Sequence, residues 1–493
     1  MKSLNGPQSS PFVQLMNWIF RPLDFLEECA RKYGDTFSLN LMGLPPFTVV
    51  SDPQGIEEIL SVDAKQFDVG RTNNLAASLL GDNSLVLLDG LQHRRQRKLM
   101  MPPFHGEKVK SYAETIGQIT EKVANQWQEK STFVAQKAMQ DITLETIMHV
   151  VFGLSEGERC LDARSLAPDG DAGSHRYKQI KPPLIELLDL TGSPIKASVI
   201  FLPFLQRDLG EWSPWGKVVR RKRKIYELLQ AEIDERRANP ELLGNDVLSL
   251  LMSARDEQGE GLNNIELKDQ MMTLLVAGHE TTATALSWAL YWVHKLPEVK
   301  QKLLAELDSL DSDADLLTIS RLPYLTAVCN ETLRIYPVAF IAFLRFAKSP
   351  IKVMGHQFNP EEMLAPTIYL THHRQDLYPE PKQFKPERFL ERQCLGERSL
   401  APVGGAGSHR YSTYEFLPFG GGNRRCIGYA LALLEMKLVL AKILTGWDLS
   451  LTSDRSILPK RRGATIAPDN GVPLILNGKR SQIAKSMAIA KHT

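Results

Sequence analysis

The feature that most constrains the fold is an uninterrupted helical periodicity from Asn263 to Lys295, closed by Leu296-Pro297. It spans about 33 residues, on the order of 50 Å at 1.5 Å per residue. Globular helices average about 11–12 residues, so a helix this long and apolar has to cross the middle of the molecule. Asn263 is the expected N-cap. The run Met271–Val293 carries His279, Glu280, Thr273, Thr281, Thr282 and Thr284, which suits a buried helix better than a lipid-facing one. A polar group buried there costs free energy unless it has a partner, so each needs a reason.

The rest of the chain is also dominated by helical patterning, expected near 22–33, 54–61, 92–101, 107–130, 138–153, 215–238, 298–309, 325–335 and 427–445. Short strand-like runs sit at Thr36–Leu41, Phe47–Ser51, Ile351–Val353 and Thr367–Leu370. The expected class is mainly α with small β-sheets, and no Gly/Ser-rich linker divides residues 1–493 into separate domains. Fifty-nine Lys plus Arg against fifty-seven Asp plus Glu leave +2, which argues against a dedicated nucleic-acid binder. Cysteines 29, 160, 329, 394 and 426 are odd in number, scattered and without a CxxC pair, a pattern for a reducing compartment. The N-terminal apolar patch is interrupted by Gln14 and Asn17 and closed by Arg21, too short for a secretory signal or a membrane span. A cytoplasmic protein without a transmembrane segment is expected.

Residues 160–176 and 394–410 are near copies, alike at 13 of 17 positions and each followed by a tyrosine, Tyr177 or Tyr411. Copies this far apart and this rich in Gly, Ser and Pro read as two surface-loop insertions, not as solenoid repeats. Each holds one Cys and one His, which leaves a metal role as the alternative.

The sharpest chemical signal is Phe419-Gly-Gly-Gly-Asn-Arg-Arg-Cys426-Ile-Gly428. A glycine-rich turn brings backbone close to something flat or bulky, and then a lone Cys opens a helical run. The positive end of a helix favours thiolate. One thiolate is too few ligands for zinc or an iron–sulfur cluster, yet it suffices for a haem, whose macrocycle supplies four donors. A buried structural Cys after a Gly turn is the alternative.

At this point the chain resembles the cytochrome P-450 family over most of its length, its bacterial and especially cyanobacterial branch. Phe419, Gly422, Arg424, Cys426 and Gly428 fit the haem loop Phe-x-x-Gly-x-Arg-x-Cys-x-Gly. Glu331-Thr-Leu-Arg334 is similar to the Glu-x-x-Arg helix, Pro386-Glu-Arg388-Phe389 to the later Pro-Glu-Arg-Phe element, and Ala277-Gly278-His-Glu280-Thr281 to the oxygen-binding motif. The order and spacing of all four carry the resemblance. It implies the cytochrome P-450 fold and haem b with Cys426 as the axial thiolate.

The resemblance also implies residue roles. Glu331 and Arg334, three apart on one helix face, would form a buried cluster with Arg388 that braces the haem; an exposed ion pair is the alternative. Thr281 can bond back to the carbonyl four residues earlier, and Gly278 leaves room for the helix to open, so that Thr281 meets dioxygen and Glu280 feeds protons. A back-bonded core Thr is the alternative. His279 fills the variable position and has no catalytic role. His93, where Trp is commoner, and Arg97 resemble the propionate pair one helical turn apart, joined by Arg345 and Arg424.

The implied function is monooxygenation of a hydrophobic small molecule with O2: long-chain fatty acid or alkane, with terpene as the alternative. No flavin or iron–sulfur module is visible, so electrons come from outside, from a ferredoxin and its reductase. Arg94, Arg95, Lys98, Lys108, Lys110 and Arg425 are the candidate docking charges. The run Lys217–Lys224, after Phe201–Phe204 and Trp212, reads as a solvated helix face, with peripheral membrane contact as the alternative. A monomer is expected. A peroxide-driven enzyme lacks the Glu280-Thr281 pair, a haem sensor needs no proton relay, and a helical scaffold without cofactor would be colourless.

Overall fold

In the computed structural model the long helix runs Asn264–Lys295. Asn263 caps it: its side chain accepts from the Ile265 and Glu266 amides (2.9 and 3.0 Å), and Glu266 reaches back to the Asn263 amide at 2.9 Å. This reciprocal capping box satisfies donors that the first turn leaves open. The helix stops at Leu296, whose extended backbone is what a following proline demands. The structure describes residues 5–62, 66–70, 77–154, 172–191, 207–311, 314–391, 411–463 and 465–480.

Packed against the long helix are the helices Ala135–Phe152, Tyr429–Gly446 and Pro323–Ile335. The main core lies between them, with Leu267, Met271, Leu286 and Trp288 fully buried. Each buried aliphatic side chain contributes about 1.5–3 kcal/mol. Trp288 and Trp292 stack among Tyr291, Tyr336 and Phe384 at the helix's C-terminal end.

A five-stranded sheet in the order Thr36–Leu39, Phe47–Val50, Met363–Pro366, Arg345–Ala347, Phe67–Asp68 forms a second layer, antiparallel except between Phe47–Val50 and Met363–Pro366. Its core includes Phe37, Leu39, Val49 and Ala365. A three-stranded sheet joins Thr132–Val134, Pro473–Lys479 and Trp447–Leu451. The hairpin Pro459–Arg462/Thr465–Pro468 lies against the long helix.

Several expectations shift. The segment 107–130 is two helices, Gly106–Lys110 and Ala113–Ala124. Thr367–Leu370 is no strand: the strand ends at Pro366, and Thr367 caps the short helix Ile368–His372 by accepting from the Leu370 amide. The helix after Cys426 begins at Tyr429. Unforeseen helices span Pro11–Phe20, Val247–Ser253 and Ala172–Thr191. The last contains residues 172–176, so the end of the first duplicated segment is helical and not loop. The rest of that copy, the whole second copy and Phe201–Phe204 lie outside the described residues.

Candidate functional site

Cys426 is placed by a loop pressed onto the helix Pro53–Ser61. Gly422 is left-handed (φ 62°), and a Cβ there would stand 2.6 Å from the Leu60 carbonyl oxygen; only glycine fits. The Cys426 amide donates to the Phe419 carbonyl at 3.0 Å, closing the loop. Burial pushes the thiol up, while the Gly428 amide, Arg97 and Arg425 favour thiolate. The residue nevertheless keeps an exposed surface. Cys29 and Cys329 differ: both are sealed, with burial raising their thiols to about 11 and about 12.

Near the sulfur lies a set of basic side chains, His93 and Arg345 buried and Arg97 and Arg424 half-buried. His93 and Arg97 stand on the helix Gly90–Met100, Arg345 starts a sheet strand, and Arg424 lies in the cysteine loop. Burial, followed by Arg424, lowers Arg345 to about 10, and among the described residues its Nη1 donates to the Phe343 carbonyl at 2.8 Å. Burial also lowers Arg97 and Arg424. His93, desolvated beside Arg424 and Arg97, falls to about 3 and is neutral. Among the described residues the one carboxylate paired with this set is Asp89, which holds Arg424 and accepts from the Val69 and Gly70 amides. Three guanidiniums against one carboxylate leave an excess of two positive charges that are at least partly withdrawn from water, which favours two anions. The two propionates of a haem match that deficit.

Beneath the loop is a saturated brace. Arg334 grips Glu331 through two bonds, Nε at 2.7 Å and Nη2 at 2.9 Å. Arg388 Nε adds a third at 3.1 Å and the Lys385 amide a fourth at 2.8 Å. Glu331 and Arg334 are wholly buried, Arg388 nearly so. Arg334 Nη1 also donates to the carbonyl of His372, whose neutral ring accepts from the Leu417 amide at 3.0 Å. Thus the brace reaches the chain two residues before Phe419. His372 carries no sequence motif and was missed.

The long helix supplies the fourth part. Thr281 Oγ1 donates to the Ala277 carbonyl at 2.6 Å, as its spacing suggests. Ala277 is exposed although most of the helix is buried. Gly278 is needed for close packing: a Cβ would meet Ile147 Cδ1 at 2.7 Å. His279 is buried against Thr143, its Nδ1 3.2 Å from the hydroxyl, and burial drops it to about 4. Glu280 accepts from Gln140 at 2.6 Å and Gln136 at 3.4 Å, and Arg462 Nε lies 3.0 Å away. Burial raises its carboxyl, chiefly opposed by Arg462. Gln136, Gln140 and Arg462 were not legible, because nothing in their own surroundings marks them.

The sequence matches the family model described as Cytochrome P450 over residues 4–473. The chain belongs to the cytochrome P450 family. A Mycobacterium tuberculosis protein named cytochrome P450 135B1 is 34% identical over 99% of this chain and 94% of its own. Another from that species, cytochrome P450 135A1, is 29% identical over 96% and 95%. Among solved structures, retinoic acid bound cyanobacterial CYP120A1 aligns with a TM-score of 0.76 at 24% identity, covering 95% of this chain and 96% of the other. The cytochrome P450DA heme domain gives 0.79 at 22%, covering 97% of each. This cytochrome P450 is a monooxygenase that binds haem b through a cysteine thiolate and uses O2, an external electron donor and a hydrophobic substrate. Among the described residues no helix is long and apolar enough to cross a membrane.

Proposed function

We propose that this cytochrome P450 hydroxylates a long-chain fatty acid or an alkane, with Cys426 as the thiolate that would hold the haem and Glu280 and Thr281 moving the protons. The observation that carries the assignment of Cys426 is its exposed surface beside Arg97 and Arg425, in contrast to the buried Cys29 and Cys329. When bound, the haem would supply the iron chemistry for activating dioxygen. Arg97, Arg345 and Arg424 hold the propionates, with His93 as a neutral donor. Phe419, Gly422 and Gly428 shape the loop, and the Gly428 amide tempers the sulfur's basicity. Glu331, Arg334 and Arg388 fix the loop from below. On the other side Glu280 holds a proton on its carboxyl and passes it to the Thr281 hydroxyl, which has to leave the Ala277 carbonyl to hand it on. Ala277 and Gly278 keep that helix face slim.

The exposed Ala277 on the otherwise buried long helix favours a substrate made mostly of carbon chain. Terpenes remain the second substrate class. Electrons are assigned to a ferredoxin and its reductase. The docking face is smaller than the sequence suggests, since Arg95 turns inward to Asp256 and Glu266 and Lys98 pairs with Glu257. Arg425, stacked 4.1 Å over Tyr429, stays exposed. On the basic run, Arg221 pairs with Glu186 and Arg220 with Asp208, which supports a paired, solvated helix face. We take the chain as one cytoplasmic, monomeric unit with two passive insertions. Titrating the haem-loaded protein with dodecanoate, hexadecane and a sesquiterpene tests the substrate class. Dodecanoate or hexadecane is expected to convert low-spin to high-spin iron, and a response to the sesquiterpene alone would contradict the reading.

A further inference from the structure

Two adjacent arginines at the tip of the hairpin Pro459–Arg462/Thr465–Pro468 serve different neighbours, as strand alternation dictates. Arg461 donates Nη1 to the Trp18 carbonyl (3.1 Å) in the helix Pro11–Phe20 and Nε to Gly463 (3.0 Å). Arg462 faces the other way, to Glu280. The hairpin's base is fastened: Trp288 Nε1 donates to the Ile466 carbonyl at 3.0 Å, and the Ile466 amide donates to the Val338 carbonyl at 2.9 Å. The tip therefore stands at a fixed place over the long helix.

The grip on Glu280 is unusual. Nitrogen and oxygen are 3.0 Å apart, yet the buried Arg462 Nε–H has no aligned acceptor. Charge, and not a directed hydrogen bond, holds the carboxylate on that side. Such a contact is easier to release than the two-bond grip on Glu331. Next to it is a cavity of about 20 Å³, room for one water (about 10–15 Å³ is needed), lined in part by Lys137, Gln140, Asp141, Asp189 and His279. Lys137 and Asp141 are an exposed pair at 3.0 Å, and Asp189 is exposed, so the cavity borders solvent. These are the charged groups facing Glu280. Asp189 disfavours its charge, Arg462 favours it, and His279 is neutral.

We infer that Arg462 is the positioning residue for proton delivery: it keeps the Glu280 carboxylate turned to the water cavity, where it reloads from solvent, and releases it once it is protonated. The inference rests on the monooxygenase reading. A proton from water joins a Glu280 oxygen, which cancels the charge that Arg462 held. The neutral carboxyl then gives that proton to Thr281 Oγ1, the hydroxyl passes its own proton on, and Arg462 recovers the carboxylate. No electron moves through these groups.

The test uses the haem-loaded full chain as wild type, R462A, R462Q, R462K and E280Q, driven by NADPH through a surrogate ferredoxin and its reductase without added substrate. The peroxide-to-water ratio from consumed O2 reports how often protons arrive in time. R462A and R462Q are expected to raise it about tenfold, part of the 10²–10⁴ that a lost acid costs, and R462K to restore most of it. The infrared carboxyl band that E280Q abolishes is expected to titrate at higher pH in R462Q, because a cation favouring the carboxylate is gone. An unchanged ratio and an unmoved titration in R462Q would overturn the inference, as would an R462K no better than R462A. Failure of the monooxygenase reading would look different, since the wild type itself would then lack a thiolate-haem spectrum.

Discussion

Glu331, fully buried, and Glu280, half-buried, are both glutamates held by arginine, and the manner of holding separates a brace from a proton carrier. Glu331 receives four hydrogen bonds at 2.7–3.1 Å and sees no solvent. Three of the four bonds meet on Oε1 and the fourth on Oε2, and the two guanidiniums fix the carboxylate in one orientation. Glu280 has two glutamine donors, an undirected ionic neighbour and a water-sized cavity at its side. Its carboxyl is pushed up by burial where cations alone would push it down. A third carboxyl marks the limit of the series. Glu435, on the helix after Cys426, is buried, its Oε1 has no partner among the described residues, and burial carries it to about 8.

Removing the brace should do most. Glu331→Ala leaves the Arg334 and Arg388 guanidiniums buried without their carboxylate, a loss of about 3–5 kcal/mol. We expect a marked fall in urea stability and little haem-loaded protein; wild-type stability would dissolve the contrast. Glu435 comes next. Because its folded value is raised, the native state binds its proton more tightly than the unfolded chain, so its stabilising protonation is lost as pH rises from about 4.5 through about 8. Glu435→Gln has no proton to lose, so the variant should gain on wild type with rising pH, by on the order of 3 kcal/mol near pH 7. Parallel stability curves for the two proteins from pH 5 to 8 would refute this. Glu280→Gln should alter chemistry and spare the fold, with NADPH-driven hydroxylation of an accepted substrate slowed about a hundredfold and unfolding within about 1 kcal/mol of wild type. A large loss of stability with normal turnover would make Glu280 another brace.

The brace and the carrier also differ in how they can be read from the chain. Glu331 and Arg334 are one helical turn apart, and Arg388 has its own short motif, so local spacing announces the cluster. The capping box at Asn263 and the glycine turn before Cys426 are local too. Gln136, Gln140 and Arg462 reach Glu280 only through tertiary packing, as Asp89 reaches Arg424 and His372 reaches Leu417. No periodicity encodes such encounters. Local rules failed where two local preferences competed. Thr367-Ile-Tyr-Leu370 has strand composition, but the Thr367 hydroxyl caps a helix. The helix Ala172–Thr191 runs through Pro182-Pro183, which sequence rules take as a stop.

Everything on both sides is arranged around the sulfur of Cys426, and the dithionite-reduced protein under carbon monoxide tests it most directly. The account predicts the red-shifted Soret band of a thiolate-ligated haem in the wild type and its disappearance in Cys426→Ser. A wild type without that band, or a serine variant that keeps it, would contradict the assignment.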